Sequence, residues 1–531
     1  LGWVLRCAWR HRAPALTVAG LQAPWVAEKR VGPMTKNPDG GNADPLIAMR
    51  GAESRLREKN ISFSWVGRAP EGFGALCVDS REIKPGDLFC ALSGSMVDGH
   101  DFVESAAAAG AVAAIVERNA EAAIPTLLVS DSKAAAAHLT SFVAGDPAAG
   151  LQVIGVTGTN GKTTTVLIMR HLLGSLGSTA ALGTLGLFLP DGSHLPRGRM
   201  TTPGPVDLTA DLETVAESGA TYLTMEVSSH ALDQRRVEAL QFSVAVFTNF
   251  SHEHLDYHAD MDSYRNAKLR LADLLQADGT AVINAEDPAW ESSAFAAVNR
   301  LTFGQLDHAD VRAADVRHTP KGSRWTLVTP SGSALVELPL LGDFNVSNAL
   351  GAAAAAHVFG ADPALLASRL ATAPQVPGRM EVLASSPGPL IVRDYAHTPD
   401  GIKRALEALR ELTEGGMTVV FGCGGDRDRG KRPLMGEAAV SIADRVIVTT
   451  DNPRMEAPRQ IFDDITAGLS PTDYEVIEDR ARAIEEAILT ARPGDVVLLA
   501  GKGHESYQDI RGTKLPFSEV QIVRELTERH T

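Results

Sequence analysis

A chain of 531 residues is too long for one hydrophobic core, and three domains are its natural division. With 44% hydrophobic and 22% charged residues it has the composition of an ordinary globular protein, and no apolar run reaches the ~18–20 residues of a membrane span. The formal net charge of −15 argues against nucleic acid as a partner, although a few local arginines and lysines can still build a pocket for an anionic substrate.

In chain order, the first thirty residues are basic and mildly apolar but lack the continuous apolar core of a secretory signal. Pro33 to Met49 is rich in Pro, Gly, Asn and Asp, so residues 1–69 are expected to be a disordered extension, with Met34 and Met49 as alternative translation starts. A small α/β unit is expected over residues 70–149. It holds a short strand at Leu76, an alanine-rich helix from Val103 to Ala109, strands at Ala111–Glu117 and Pro125–Ser130, and a helix from Ser132 to Val143. Gly145 to Gly150 reads as a linker. The four cysteines, Cys7, Cys77, Cys90 and Cys423, are scattered without metal-ligand spacing, as core thiols in a reducing cytoplasm would be.

The second unit, residues 150–377, opens on GVTGTNGKTTT, Gly155 to Thr165, between the apolar run Leu151–Val156 and the helical run Val166–Leu173. Strand, glycine turn and helix make a phosphate cradle. Backbone N–H groups and the helix N-terminus face the anion, Lys162 adds a mobile charge, and the Thr163 hydroxyl can ligate Mg²⁺. The usual pattern has a glycine where this chain has Val156, with Gly155 and Gly158 on either side. A glycine turn that merely packs a helix on a sheet would explain the glycines, but not a lysine and a threonine at its mouth. Gly158, Thr159, Asn160, Gly161, Lys162, Thr163 and Thr164 are therefore read as the ATP-phosphate site.

Further apolar runs, TYLTMEV, FSVAVFTNF and TAVINAED, end in polar residues and alternate with helices at Asp207–Ser218 and Met261–Gln276. This is a mostly parallel sheet, whose ligands bind at the strands' carboxyl ends. Leu301 to Leu340 alternates as antiparallel strands do, and an alanine-rich helix spans Val346 to Val358. Beyond PQVPGRME a second doubly wound unit fills residues 378–531, with helices at Gly401–Leu412, Pro433–Ile442 and Ala481–Ala491. Two such units facing a cleft suggest that two substrates are brought together.

Nine motifs stand in one order: DSR at Asp79, GTNGKT at Gly158, TTP at Thr201, EVSSHAL at Glu226, HLDYH at His254, DYAHTPD at Asp394, GCGGDRDRGKRPLM at Gly422, DNPR at Asp451 and GKGHE at Gly501. In them the chain, from Asp79 to Ser518, resembles the Mur ligases of bacterial cell-wall synthesis, and among these the ones that add the third residue of the stem peptide. The resemblance implies an α/β protein of three-domain Mur ligase architecture: a UDP-sugar-binding first domain, a central P-loop parallel-sheet domain binding ATP, and a Rossmann-like C-terminal domain that docks the amino acid and swings closed. It implies UDP-MurNAc-L-Ala-D-Glu, meso-diaminopimelate and ATP as reactants, an acyl phosphate on the D-glutamyl carboxylate, and no obligate protein partner.

The resemblance also assigns roles. Magnesium, needed to neutralise carboxylate and triphosphate charge, would be held by Thr163, Glu226, His254 and Lys268 as N6-carboxylysine, the product of its reaction with CO₂. Read without the resemblance, Glu226 could be a strand-end glutamate facing water, but the serines and histidine behind it in EVSSH, at the carboxyl edge of a parallel sheet, favour a functional role; His254 is equally a ligand or a surface histidine, and Lys268 is an exposed helix lysine. Where relatives read Arg-Asp-His, this chain has His252, Glu253 and His254, which removes a permanent positive charge. Asn345 and Asn348 resemble adenine-side contacts; Arg379, Asp394 and His397 lie where ribose and γ-phosphate are expected on closure, with Arg379 suited to phosphoryl transfer. Ser80 and Arg81 resemble UDP contacts, although DSR is equally an N-capping turn. Thr201, Thr202, Ser228 and Arg236 resemble the groups that hold the muramoyl dipeptide.

For the acceptor, Asp451, Asn452, Pro453 and Arg454 of DNPR, with Arg427, Gly501 and Glu505, resemble the amino-acid contacts. Arg454 favours diaminopimelate over L-lysine. A guanidinium makes a bidentate contact with the second carboxylate and would face lysine's bare ammonium with a like charge. Glu505 suits the distal ammonium. Folylpolyglutamate and cyanophycin synthetases leave DSR, DNPR and GKGHE unexplained, and a plain NTPase or a structural protein leaves the second α/β unit without a purpose.

Overall fold

The structure, a computed structural model, describes residues 30–32, 46–94, 97–197, 200–296, 298–385 and 388–529. Residues 1–29 and 33–45, with Cys7 and Met34, lie outside the described residues.

The first domain is larger than the sequence suggests. Its six-stranded sheet runs, edge to edge, Arg30–Val31, Leu76–Cys77, Leu88–Cys90, Ala113–Val116, Thr126–Val129 and Phe63–Val66. Residues 46–69 are thus part of the fold, not of a disordered extension. Helix Met49–Glu58 places Met49, Ala52 and Leu56 in the domain core, beside Phe73 and Leu139. These positions recur at helical spacing, but the charged residues between them obscure the stripe in composition. Trp65 Nε1 then donates to Glu53 Oε1 at 2.9 Å, tying strand to helix. Cys77 and Cys90 are buried, and burial pushes the Cys77 thiol up to about 11, so it is an inert core thiol at neutral pH.

The central domain carries an eleven-stranded sheet. Thr179–Gly183, Tyr222–Glu226, Gln152–Thr157, Phe242–Phe247, Leu275–Asn284 and Asn299–Gly304 are successive parallel neighbours. Their carboxyl ends therefore share one edge. Helix Met261–Asp273 stops three residues short of expectation because Leu275 already pairs with Phe242, ahead of an irregularity in the register. Val311–Thr319, Gly322–Thr329 and Gly332–Leu338 are antiparallel, as their alternation predicts. Helix Asp343–Val358 is fully buried over Ala352 to Ala356; side chains of one carbon let it lie close against helix Lys162–Leu173.

The C-terminal domain is a six-stranded sheet in the order Glu381–Ala384, Leu390–Asp394, Val496–Ala500, Met417–Phe421, Arg445–Val448 and Glu475–Val476. All pairs but the first are parallel, so DYAHTPD, GCGGDRD, DNPR and GKGHE leave the same edge. Leu341 of the central domain packs into this core with Met380, Ile402 and Leu406, and Gln375 Oε1 accepts from Val382 N at 3.1 Å across the boundary.

Candidate active site

The nucleotide loop is shaped by what surrounds it. A Cβ on Gly158 would collide with Thr248 Oγ1, and one on Gly161 with Asn348 Oδ1; both residues have positive φ, 144° and 84°. Only glycine fits either position. Asn160 N donates to Asn249 Oδ1 at 2.9 Å and Thr248 Oγ1 to Asn160 O at 2.7 Å, so the strand end Phe242–Phe247 holds the loop open toward the cleft. Thr159, Thr163 and Thr164 are buried around it, and Lys162 begins the helix. The glycine missing at Val156 costs nothing, because Val156 is an interior strand residue paired with Glu226 and Val246.

Two lysines meet at this loop. Lys162 Nζ donates to Gly158 O at 2.9 Å and to Thr159 O at 2.8 Å; Lys268 Nζ donates to the same Gly158 oxygen at 2.7 Å. Lys268 is 1% exposed, so the usual solvent-facing fate of a helix lysine does not apply. Burial, and then the Lys162 charge, hold its pKa well below the ordinary lysine value, with Glu253 opposing. The Tyr264 ring, one helical turn before it, lies 4.5 Å from its nitrogen, and Tyr264 Oη sits 3.2 Å from Thr159 Oγ1.

Glu226 is buried at its strand end, and its carboxylate accepts from Thr184 N at 2.8 Å and Thr184 Oγ1 at 3.1 Å. Thr163 and Glu226 line one small cavity. His254 has φ +58° and is flanked edge-on by His230 at 4.8 Å and Tyr264 at 5.8 Å. Burial, then Lys162 and Lys268, pull its pKa down to about 4, so its ring is neutral and able to ligate. His258 is a core histidine, 3.0 Å from Ser229 Oγ, while Asp256 and His252 are exposed. Among the described residues no three His, Cys, Asp or Glu side chains form a metal cage. That suits Mg²⁺, which is commonly bound by one or two carboxylates together with substrate phosphates. Thr163, Glu226 and His254 fit that role.

Asn345 Nδ2 donates to Leu341 O at 2.8 Å, and Asn348 Nδ2 to Asn345 Oδ1 at 3.1 Å. Both are buried and lock the start of their helix to Gly161. Thr201, Thr202, Ser228 and Arg236 gather beside Glu226. Thr202 Oγ1 donates to Glu226 O at 2.9 Å, Arg236 Nη1 to Thr202 O at 2.9 Å and Ser228 N to Thr202 Oγ1 at 3.1 Å, while Thr201 Oγ1 lies 3.2 Å from Thr184 Oγ1. Ser80 and Arg81 sit apart on the first domain. Asp79 caps their turn, and exposed Arg81 folds back on it, Nη2 to Oδ2 at 2.6 Å.

The C-terminal domain is seated against this loop. Gly378 has φ +66°, and a Cβ there would collide with the backbone of Gly503 and His504. The next residue, Arg379, stacks over Tyr395 at 4.8 Å, and its charge reaches Lys162. Asp394 has its oxygens engaged elsewhere than at a ribose: Oδ2 accepts from Met380 N at 2.7 Å and Oδ1 from Ala396 N at 2.8 Å. It braces the turn that carries Arg379. His397 is turned to its own chain, with Nδ1 2.8 Å from Tyr395 O, and its carbonyl accepts from Lys431 Nζ at 2.8 Å.

DNPR and GKGHE face each other. Asn452 Nδ2 donates to Glu505 Oε2 at 2.7 Å, and the wholly buried Lys502 donates to Asp451 Oδ1 at 3.1 Å. Arg454 is half-buried, with φ +51°; its Nη1 donates to Gly425 O at 2.6 Å, fixing the guanidinium between loops. A Cβ on Gly425 would collide with Pro453 O, and Gly501 has φ +106°. Arg427 lies exposed at the rim. Thr184, Tyr264 and Lys502 escape the sequence reading; only the last lies inside a quoted motif, and its burial is invisible there.

Residues 74–154 match the family model described as Mur ligase family, catalytic domain; residues 156–356 match the Mur ligase middle domain, and residues 378–503 the Mur ligase, glutamate ligase domain. The chain belongs to the Mur ligase family. It is 45% identical over 456 residues to the UDP-N-acetylmuramoyl-L-alanyl-D-glutamate–2,6-diaminopimelate ligase of Gloeobacter violaceus, covering 85% of this chain and 93% of that one. It is 46% identical over 473 residues to the ligase of the same name from Synechococcus elongatus, covering 86% and 94%. A solved structure of a ligase of that name superposes with a TM-score of 0.66 at 35% identity, over 92% of this chain and 100% of the other. The MurF ligase of Thermotoga maritima, solved with ADP, shares the fold at 21% identity and a TM-score of 0.56, over 86% and 97% of the two chains. The three-domain α/β architecture is thus that of a Mur ligase, and no helix among the described residues is long and apolar enough to cross a membrane.

Proposed function

We propose that this chain ligates meso-2,6-diaminopimelate to UDP-N-acetylmuramoyl-L-alanyl-D-glutamate at the expense of ATP, a step in making peptidoglycan precursors. The observation that carries it is the presence of Arg454 and Glu505 on two loops, DNPR and GKGHE, that the Asn452–Glu505 bond ties together. One offers a guanidinium to a carboxylate and the other a carboxylate to an ammonium, which together describe the far end of diaminopimelate. Alignment over 93% and 94% of two relatives of that name, at 45% and 46% identity, supports the same reading.

In the reaction the D-glutamyl carboxylate forms a bond to the γ-phosphorus while the bond to ADP breaks. The amine of the acceptor then attacks the acyl carbon, phosphate leaves, and the nitrogen gives up a proton. Lys162 holds the β- and γ-phosphates from the loop, and Arg379 brings a guanidinium to the charge that spreads over the transferred group. Mg²⁺, held by Thr163, Glu226 and His254, supplies neutralisation of phosphate and carboxylate charge when bound. Thr201, Thr202, Ser228 and Arg236 hold the muramoyl dipeptide beside Glu226, Ser80 and Arg81 face the uridine nucleotide, and Asn345 and Asn348 support the adenine side. Lys268, whose pKa is held well below the ordinary lysine value by burial and then by the Lys162 charge, adds to CO₂ through its amine and gives up a proton; its carbamate keeps one N–H for Gly158 O and turns a like charge into an attractive one. A reaction that consumes ATP and a UDP-linked substrate favours the cytoplasm as its compartment.

The test is phosphate release with ATP, Mg²⁺ and the UDP-linked dipeptide, offering meso-diaminopimelate or L-lysine. Release that depends on diaminopimelate is expected. Release with lysine instead overturns the specificity, and release with neither overturns ligation.

A further inference from the structure

We infer that Lys502 is a positioning residue that sets acceptor specificity, holding Glu505, Asn452 and Asp451 in one arrangement without itself touching the acceptor. The inference rests on the acceptor-site reading above. Lys502 is 0% exposed, an environment lysine enters only when fully paired. It is delivered there by the glycines on either side. Gly501 and Gly503 have φ of +106° and +52°, and a Cβ on Gly503 would meet Tyr395, so the turn can direct one long side chain inward.

Its ammonium has three protons and three acceptors: Asp451 Oδ1 at 3.1 Å, Asn452 Oδ1 at 3.1 Å and Glu505 Oε2 at 3.4 Å. No proton remains for a substrate. The bond to Asn452 Oδ1, with a second from Asp509 N at 2.9 Å, decides which way that amide faces, and so sends Nδ2 to Glu505 Oε2 at 2.7 Å. With Oε2 engaged by two donors, Glu505 presents Oε1 to the cleft. Charge leads to the same conclusion. Lys502 against Asp451 and Glu505 leaves one negative charge, the complement of one ammonium, three residues from the guanidinium of Arg454 that complements one carboxylate. Without Lys502 the Asp451 and Glu505 carboxylates would lose the cation that lies between them. The DNPR and GKGHE loops would also lose their common tie.

The experiment compares meso-diaminopimelate with L-2-aminopimelate, which keeps both carboxylates and lacks the distal ammonium. In Lys502→Met, kcat/KM for diaminopimelate is expected to fall on the order of 100-fold and that for aminopimelate about tenfold or less, so the preference shrinks. The KM for ATP should stay within about twofold of the unmutated value. An equal fall for both acceptors, leaving the preference intact, overturns the proposal, since a merely structural lysine would act that way. If Lys502→Met shows no cooperative unfolding transition, Lys502→Arg carries the test: it keeps the charge but not the three-way geometry, and an unchanged preference there overturns the proposal as well. Failure of the unmutated protein to release phosphate with either acceptor is a different result; it overturns the functional reading, and the proposal with it.

Discussion

Replacing Arg454 with alanine isolates the acceptor end of the reaction. The guanidinium spends one N–H on Gly425 O at 2.6 Å, which leaves its other edge as a fork for a carboxylate. Two charge-assisted hydrogen bonds are worth about 1.5–3 kcal/mol each when made in a sheltered site. Arg454 is half-buried rather than sealed, so a combined loss of about 3 kcal/mol is expected, or on the order of 100-fold in kcat/KM for diaminopimelate. The backbone should tolerate the change, because alanine at φ +51° is no more strained than arginine and the bond from residue 454 N to Asp509 O survives. Arg454→Lys should recover little, since an ammonium cannot form the fork. Phosphate release measured against diaminopimelate at saturating ATP, then against ATP at saturating diaminopimelate, separates the two ends. Comparable losses along both axes, or a loss below about fivefold with diaminopimelate, would refute the assignment of Arg454 to the far carboxylate.

Gly183→Ala should abolish most turnover, by on the order of 100-fold or more, because its Cβ collides with the Glu226 carboxyl; activity near the unmutated rate would show that Glu226 is free to move. Stripping CO₂ and bicarbonate from the assay should slow the protein and adding bicarbonate back should restore it, whereas Lys268→Met should be slow in both; a rate indifferent to bicarbonate argues against the carbamate. His138, buried in the first domain, is held down to about 4 by desolvation and by the charges of Lys59 and Arg55. Its folded pKa lies below the unfolded 6.5, so the unfolded chain binds the proton more readily between those values and stability present above pH 6.5 is lost as pH falls toward 4. The slope is at most about 1.4 kcal/mol per pH unit, and denaturant unfolding at pH 7 and pH 5 should show it shrinking in His138→Gln.

The parts of the site that could be read from the sequence are those where one short segment carries both geometry and chemistry. Gly158 to Thr164 is such a segment: strand, turn and helix sit in one stretch, and the structure adds only the neighbours, Thr248 and Asn348, that make its glycines obligatory. Glu226 follows from a strand end in a parallel sheet, whereas His254, also just past a strand, is singled out only by the family resemblance. What stayed hidden depends on contacts distant in sequence. Lys268 looks like any helix lysine until Gly158 and Tyr264 close over it. Lys502 needs Asp451 and Asn452 of DNPR and Glu505 of its own loop before its burial makes sense. Helix Met49–Glu58 was lost because its three buried positions are outnumbered by arginines and glutamates that face solvent. Nothing local to Asp394 reveals that backbone N–H groups reach both of its oxygens, because Met380 N comes from across the domain's edge.

The arrangement of the two loop lysines bears on why a carbamate would form at Lys268. Both nitrogens donate to the Gly158 carbonyl. Two ammonium groups sharing one oxygen sit roughly 5 Å apart, where they repel by about 3 kcal/mol at an effective dielectric of ~20. One of them is therefore driven to lose its proton. Burial lowers the pKa of both; Glu253 and Glu226 oppose this at Lys162, where Arg379 adds to it, whereas Lys268 has Glu253 alone in its favour and the Lys162 charge against it. Lys268 is held well below the ordinary lysine value. A neutral amine is the form that attacks CO₂, so the cation that lowers the Lys268 pKa also favours carboxylation. The resulting anion then finds that same cation across a shared oxygen. One fixed neighbour, Lys162, thus favours both the neutral amine before the reaction and the carbamate after it, which an isolated buried lysine could not achieve.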